Sequence, residues 1–141
     1  MTVVAWSPDG KRLAAHSSDG VGRIWDAATG AELVTFTGHT SEVWVLIWSN
    51  SGKRIFTGGD NTVRVWDAAT GAELLCYDVK CFADVALSPD ETRIVVGAYH
   101  SPLKVFPTWS SLEALMDYAR QHCVVRELTD AERELFGLSG Q

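Results

Sequence analysis

The nine residues WDAATGAEL occur twice without a change, at 25–33 and at 66–74. Self-similarity at a fixed period constrains an architecture before local propensity is consulted, because each copy must be one structural unit stacked on its neighbours. Trp25 and Trp66 lie 41 positions apart, and other landmarks keep step with them: AWSPDGKRL at 5–13, IWSNSGKRI at 47–55 and ALSPDETRI at 86–94. Three copies are present.

Each copy is filled with β-branched and aromatic runs bounded by Gly, Asp, Asn, Ser and Pro, the pattern of short strands and their turns. In the second copy it predicts strands over 43–49, 54–58, 62–66 and 73–77. Within the first of these, Val43-Trp44-Val45-Leu46-Ile47-Trp48 is apolar throughout, which predicts a strand covered on both faces. A four-stranded unit of this kind has to stack on others.

With Gly38-His39, the SPDG-like turns, a turn aspartate at Asp60 and Trp66-Asp67 closing a third strand, residues 1–107 resemble the WD-repeat family of β-propellers. The resemblance implies an all-β partial β-propeller of about three four-stranded antiparallel blades, the third lacking its outer strand. It also implies a hydrogen-bonded set of His39, Thr57, Asp60 and Trp66, in which the aspartate orients the imidazole, the hydroxyl bridges and the indole N–H donates. Ser17, Asp19 and Trp25 are its counterparts in the first copy, whose histidine would precede Met1. The third copy departs further, with Val79-Lys80 in place of Gly-His, His100 in place of the turn aspartate and Phe106-Pro107 in place of Trp-Asp, and reads as a degenerate blade held by packing.

Thr57, His39 and Asp60 are also the residue types of a hydroxyl, histidine and carboxylate triad. The structural set explains the tryptophan and the repeat offsets, whereas a triad needs an oxyanion hole and an exposed hydroxyl that nothing in the sequence suggests. No catalytic residue and no cofactor is expected. Cys76, Cys81, His122 and Cys123 have no zinc-like spacing, so no metal site is expected and Cys76 and Cys123 read as small buried hydrophobes. Gly58-Gly59 lacks the Gly-Lys-Ser/Thr of a phosphate loop.

Composition narrows the partners. A net charge of −6 with no Lys/Arg cluster argues against nucleic acid, and no apolar run approaches the length of a membrane span. Three irregularly spaced cysteines and no signal-peptide pattern suit a cytoplasmic chain.

After Pro107 the period changes. Leu112, Leu115, Met116 and Ala119 are spaced for one helix face, and Ser110-Ser111-Leu112-Glu113 and Thr129-Asp130-Ala131-Glu132 read as capping boxes. Two short C-terminal α-helices are therefore expected over 108–141, as a cap on the last blade or a docking element. The segment 126–133 resembles tails of bacterial signalling proteins in which a propeller follows an NTPase, caspase-like or receptor-type effector domain.

Propellers have about four to eight blades. Three cannot close, so the sequence predicts a piece of a larger propeller, or a chain that completes its ring by homo-oligomerising or by pairing with further blades. The expected function is a non-catalytic protein-interaction scaffold. The resemblance places partner contacts at Trp44, Glu42, Tyr99, Ala83, Ser18 and Gly59, with Trp44 foremost because aromatic residues dominate binding hot spots; a core role for Trp44 competes with this. A regulatory or ligand-sensing part of a signalling enzyme is the alternative. An enzyme working from a central channel ranks last, since only Asp84 would serve it.

Overall fold

The computed structural model describes residues 2–79, 82–98 and 101–108. Eleven strands are formed among the described residues: β1 (Val3–Trp6), β2 (Arg12–His16), β3 (Val21–Asp26), β4 (Glu32–Thr37), β5 (Val43–Trp48), β6 (Arg54–Gly59), β7 (Thr62–Asp67), β8 (Glu73–Asp78), β9 (Phe82–Leu87), β10 (Arg93–Ala98) and β11 (Ser101–Pro107). They make three antiparallel meanders in chain order, β1 to β4, β5 to β8 and β9 to β11, here called sheets one, two and three. Sheet three has three strands. No helix occurs among the described residues, and the helices expected in the tail lie outside them.

The repeated sequence motifs are the turns of these meanders. In WDAATG, the Asp67 carboxylate accepts from the backbone N–H groups of Ala69 and Thr70 at 2.9 and 2.8 Å and from the Thr70 hydroxyl at 3.0 Å. Asp26 repeats the arrangement with Ala28 and Thr29. Both copies carry a register shift just before the turn tryptophan, between Ile24 and Trp25 and between Val65 and Trp66. The duplicated nine residues are thus a self-capped turn with a bulge on its entry. The SPDG-like turns close through serine: Ser7, Ser49 and Ser88 each accept, at the hydroxyl, the N–H of the arginine five residues on.

The core lies between sheets. Ala14, Ile24 and Phe36 of sheet one meet Leu46, Trp48, Ile55, Trp66 and Ala68 of sheet two. Phe56, Val63 and Val65 on the opposite face of sheet two meet Val85, Ile94 and Val96 of sheet three, with Val79 added from the connection. Burying apolar area on both faces of the middle sheet is the main cohesive force, at roughly 25 cal/mol per Å².

Two expectations are corrected. β5 is not covered on both faces along its length: a bulge between Val43 and Val45 turns Trp44 outward, leaving it 49% exposed. Cys76 is exposed on β8 rather than buried, because its neighbours Leu75 and Tyr77 take the inward positions of an outer strand.

Candidate functional site

The site begins with the connection that leads into β5. His39 Nδ1 lies 2.7 Å from Asp60 Oδ1, His39 Nε2 lies 2.7 Å from Thr57 Oγ1, and Trp66 Nε1 donates to Thr57 Oγ1 at 2.7 Å. One proton arrangement satisfies every atom. The indole N–H donates to the threonine oxygen, the threonine O–H donates to Nε2, and the Nδ1–H donates to the carboxylate, so the imidazole is neutral. Gly38 lets the connection lie this close, since a Cβ there would stand 3.0 Å from the Trp66 ring and 2.9 Å from Arg64 Nη1.

Asp60 is the hub. Its carboxylate also accepts from the Thr40 N–H at 2.8 Å and from the hydroxyls of Thr62 and Thr40 at 2.5 and 3.2 Å. Burial pushes its pKa up, but these donors and His39 together outweigh it and hold the carboxyl at about 2. Burial is also the largest influence on His39 and lowers its pKa, against the opposing pull of Asp60. Thr57 is fully buried with its hydroxyl engaged on both sides, which seals it from any substrate.

Above this set the β6–β7 hairpin is a two-residue turn with positive φ at both Asp60 (43°) and Asn61 (59°). That is the type I′ geometry, and Asp and Asn are the residues with side chains that adopt it most readily. Gly59, which precedes the turn, admits no side chain, because a Cβ would stand 2.4 Å from the Glu42 carbonyl oxygen. Ser41, Glu42, Trp44, Gly59, Asp60 and Asn61 line a hollow of about 150 Å³. Three residues singled out from sequence, Glu42, Trp44 and Gly59, therefore meet at one place, over a floor fixed by the buried hydrogen bonds. Ser18 is exposed on the β2–β3 turn of sheet one and does not line it. Ala83 lies on β9 with its side chain outside the described residues, and Tyr99 and His100 are outside them altogether.

In sheet one the expected counterparts are not brought together as a set. Ser17 donates to Asp19, and Arg23 reaches both, forming a surface cluster that does not include Trp25. Asp19 is held far below the usual carboxylate range by the Ser17 hydroxyl first and Arg23 second. The cause is residue identity at a shared register. Thr57 pairs with Arg64 across sheet two, and the residue pairing with Arg23 across sheet one is Ala15. The β2–β3 hairpin holds one residue more than its counterpart and closes with Gly20 at φ 83°.

Residues that sequence reasoning missed are Ser41 and Asn61 around the hollow, and His16. His16 is 1% exposed, has no hydrogen-bond partner on either ring nitrogen, and lies edge-on to His39 at 5.6 Å between ring centroids. The signal was countable: Ala15 and Thr57 each stand three positions after an arginine, Arg12 and Arg54, which puts His16 at the place of Gly58. Among the described residues no group of His, Cys, Asp and Glu is placed to hold a metal ion, and no helix is long and apolar enough to cross a membrane.

Residues 1–26 and 30–67 match the family described as WD domain, G-beta repeat. An uncharacterized WD repeat-containing protein of Nostoc is 57% identical over 42 residues, 30% of this chain and 3% of its own length. Periodic tryptophan protein 2 homolog of Caenorhabditis elegans is 38% identical over 64 residues, 45% of this chain and 7% of its own. Pre-mRNA-processing factor 19 homolog 2 of Arabidopsis thaliana is 29% identical over 122 residues, 82% of this chain and 23% of its own. The chain spans less than a quarter of the length of these relatives.

Proposed function

The chain belongs to the WD-repeat family through its first two repeats, and on that premise we propose that it is a non-catalytic protein-interaction module of propeller type that engages its partner around Trp44. The observation that carries this reading is the bulged, half-exposed Trp44 beside a hollow whose floor cannot move without breaking the His39, Asp60 and Thr57 hydrogen bonds. A rigid aromatic anchor is what binding hot spots are made of. The chemistry-capable residues of sheet two are consumed by the same hydrogen bonds, which favours a scaffold over an enzyme. One relative is named for pre-mRNA processing, which makes a protein of such processing the first partner class to test.

The test is affinity enrichment with the wild-type chain, Trp44→Ala and Glu42→Lys, each checked for an unchanged melting curve. Trp44→Ala is expected to weaken the principal partner by about tenfold or more, the ordinary loss at a hot spot. Identical enrichment by wild type and both variants would sink the reading. A second reading, a regulatory part of a longer bacterial signalling protein, rests on the resemblance of segment 126–133 to the tails of such proteins. It predicts an effector domain in the same reading frame.

A further inference from the structure

The hollow at Trp44 is small and its shape is fixed. At about 150 Å³ it has the volume of a cavity that takes one benzene-sized group, whereas pockets built for small-molecule ligands begin at roughly 300 Å³. Its occupant is therefore the size of one side chain rather than of a cofactor or metabolite. Gly59 brings β6 so close to the Glu42 carbonyl that no side chain fits between them, and the adjoining hairpin is tied down through Asp60. A side chain entering here meets a preformed surface, which lowers the ordering cost of binding.

The charge on the hollow is one-sided. Glu42 and Asp60 bring carboxylates to it, and the other lining residues, Ser41, Trp44, Gly59 and Asn61, carry no charge. Donors from His39, Thr40 and Thr62 keep Asp60 ionised and occupy both of its oxygens. Arg64, 4.0 Å from Asp60, does not line the hollow and is shared with Glu73. Three carboxylates thus surround one guanidinium, and the local field is negative. An apolar side chain would strip water from the Glu42 carboxylate and give nothing in return, and an anion would be repelled. A cation is attracted. The half-exposed Trp44 ring then selects among cations: a guanidinium is planar and weakly hydrated and stacks on an indole while its N–H groups reach a carboxylate, whereas a lysine ammonium holds its water.

The molecule carries this pairing once in its own packing. The Arg12 guanidinium carbon stands 4.8 Å from the centroid of the Trp48 ring while its Nη2 and Nη1 donate to the Gly52 and Ala68 carbonyls at 2.7 and 3.4 Å. We propose that the Trp44 hollow receives a single arginine side chain from a partner protein, its guanidinium stacked on the Trp44 indole and donating to the Glu42 carboxylate. Asp60 contributes charge rather than a hydrogen bond, because its oxygens are already taken. The inference rests on the reading of this surface as the partner site and adds the chemistry of what enters it.

The test selects binders to the full 141-residue chain from a displayed library of random heptapeptides. Arginine is expected at one position of the enriched peptides. In the tightest of them, citrulline in place of that arginine keeps the shape and removes the charge, and is expected to weaken binding by about tenfold or more; lysine keeps the charge without the plane and is expected to cost about three- to fivefold. Trp44→Ala and Glu42→Gln, with unchanged melting curves, are each expected to weaken the arginine peptide by about tenfold, and Glu42→Gln to leave the citrulline peptide unaffected, the coupling that a direct contact produces. Glu42→Lys should prefer the peptide carrying glutamate in place of the arginine. Peptides lost with Trp44→Ala yet indifferent to citrulline would overturn the arginine inference and leave Trp44 as the partner contact. Peptides indifferent to Trp44→Ala would overturn both, and a library from which no arginine peptide emerges would overturn the inference alone.

Discussion

Sheets one and two share nine identical residues and almost the same turns, yet only sheet two builds a continuous buried polar chain. In sheet two the tryptophan of the shared segment is 1% exposed and its N–H is the first donor of the chain through Thr57 and His39 to Asp60. In sheet one the identical tryptophan, Trp25, is half-buried. Two differences separate them. Sheet two has sheet one packed on the face that carries Trp66, whereas the corresponding face of sheet one is open among the described residues; and Ala15 stands at the register position where sheet two has the Thr57 hydroxyl. A repeat motif fixes its own turn by short-range hydrogen bonds, but a buried polar set also needs a neighbour to exclude water and a hydroxyl at the right register position.

The sharpest way to break this comparison is to remove both tryptophans in turn. Trp66→Ala should cost about 3–5 kcal/mol, through lost burial and the cavity left in the core. Trp25→Ala should cost less, under about 3 kcal/mol, since part of its surface is already in water. Urea unfolding of the two variants reads the difference, and equal losses would mean that sheet one is covered as sheet two is. The next effect is smaller. Asp60→Asn leaves the imidazole N–H and the Thr40 N–H facing a weaker acceptor in a buried setting, and about 2–3 kcal/mol should be lost. The matching Asp19→Asn sits in a surface cluster and should leave the urea midpoint unchanged.

How much of this was legible in sequence follows the same division. The period, the three units, the strand positions and the membership of His39, Thr57, Asp60 and Trp66 in one constellation could be read, because they depend on patterns that recur locally. Ser17 was assigned to the first copy's set by residue type, but Ala15 holds the place of Thr57, and the Ser17 hydroxyl, two positions on, bonds Asp19 at the surface. The outward turn of Trp44 depends on a bulge set by Gly59 and the Glu42 carbonyl meeting across two strands, a clash that no single-strand pattern encodes. The helical tail falls outside the described residues, and its reading stands as an expectation.

The smallest expected effect bears on the one buried group that the comparison leaves unexplained. Both ring nitrogens of His16 are buried without a hydrogen-bond partner, and a buried unsatisfied polar group costs about 1–3 kcal/mol. His16→Leu, which fills the space between Phe36 and His39 with apolar atoms, should therefore stabilise the protein by about 1 kcal/mol. It should also change the acid response. Burial lowers the pKa of His16, with His39 adding to the effect and the adjacent Ser17 backbone, Asp19 and Asp60 opposing it, although the Ser17 contact falls short of hydrogen-bond geometry; burial lowers that of His39 against Asp60 and Glu73, with Arg64 assisting. Since both folded values lie below the ordinary 6.5, the unfolded chain takes up more protons than the folded one as the pH drops through 6.5. Stability should be full above that pH and decline below it until the folded imidazoles themselves protonate, while Asp60 stays ionised down to about 2. In His16→Leu only the His39 part of that decline should remain, so melting temperatures of wild type and variant should diverge further at pH 5 than at pH 7.5. Parallel curves would show that His16 is protonated or hydrogen-bonded in the folded protein, and the contrast between the two sheets would then rest on Ala15 against Thr57.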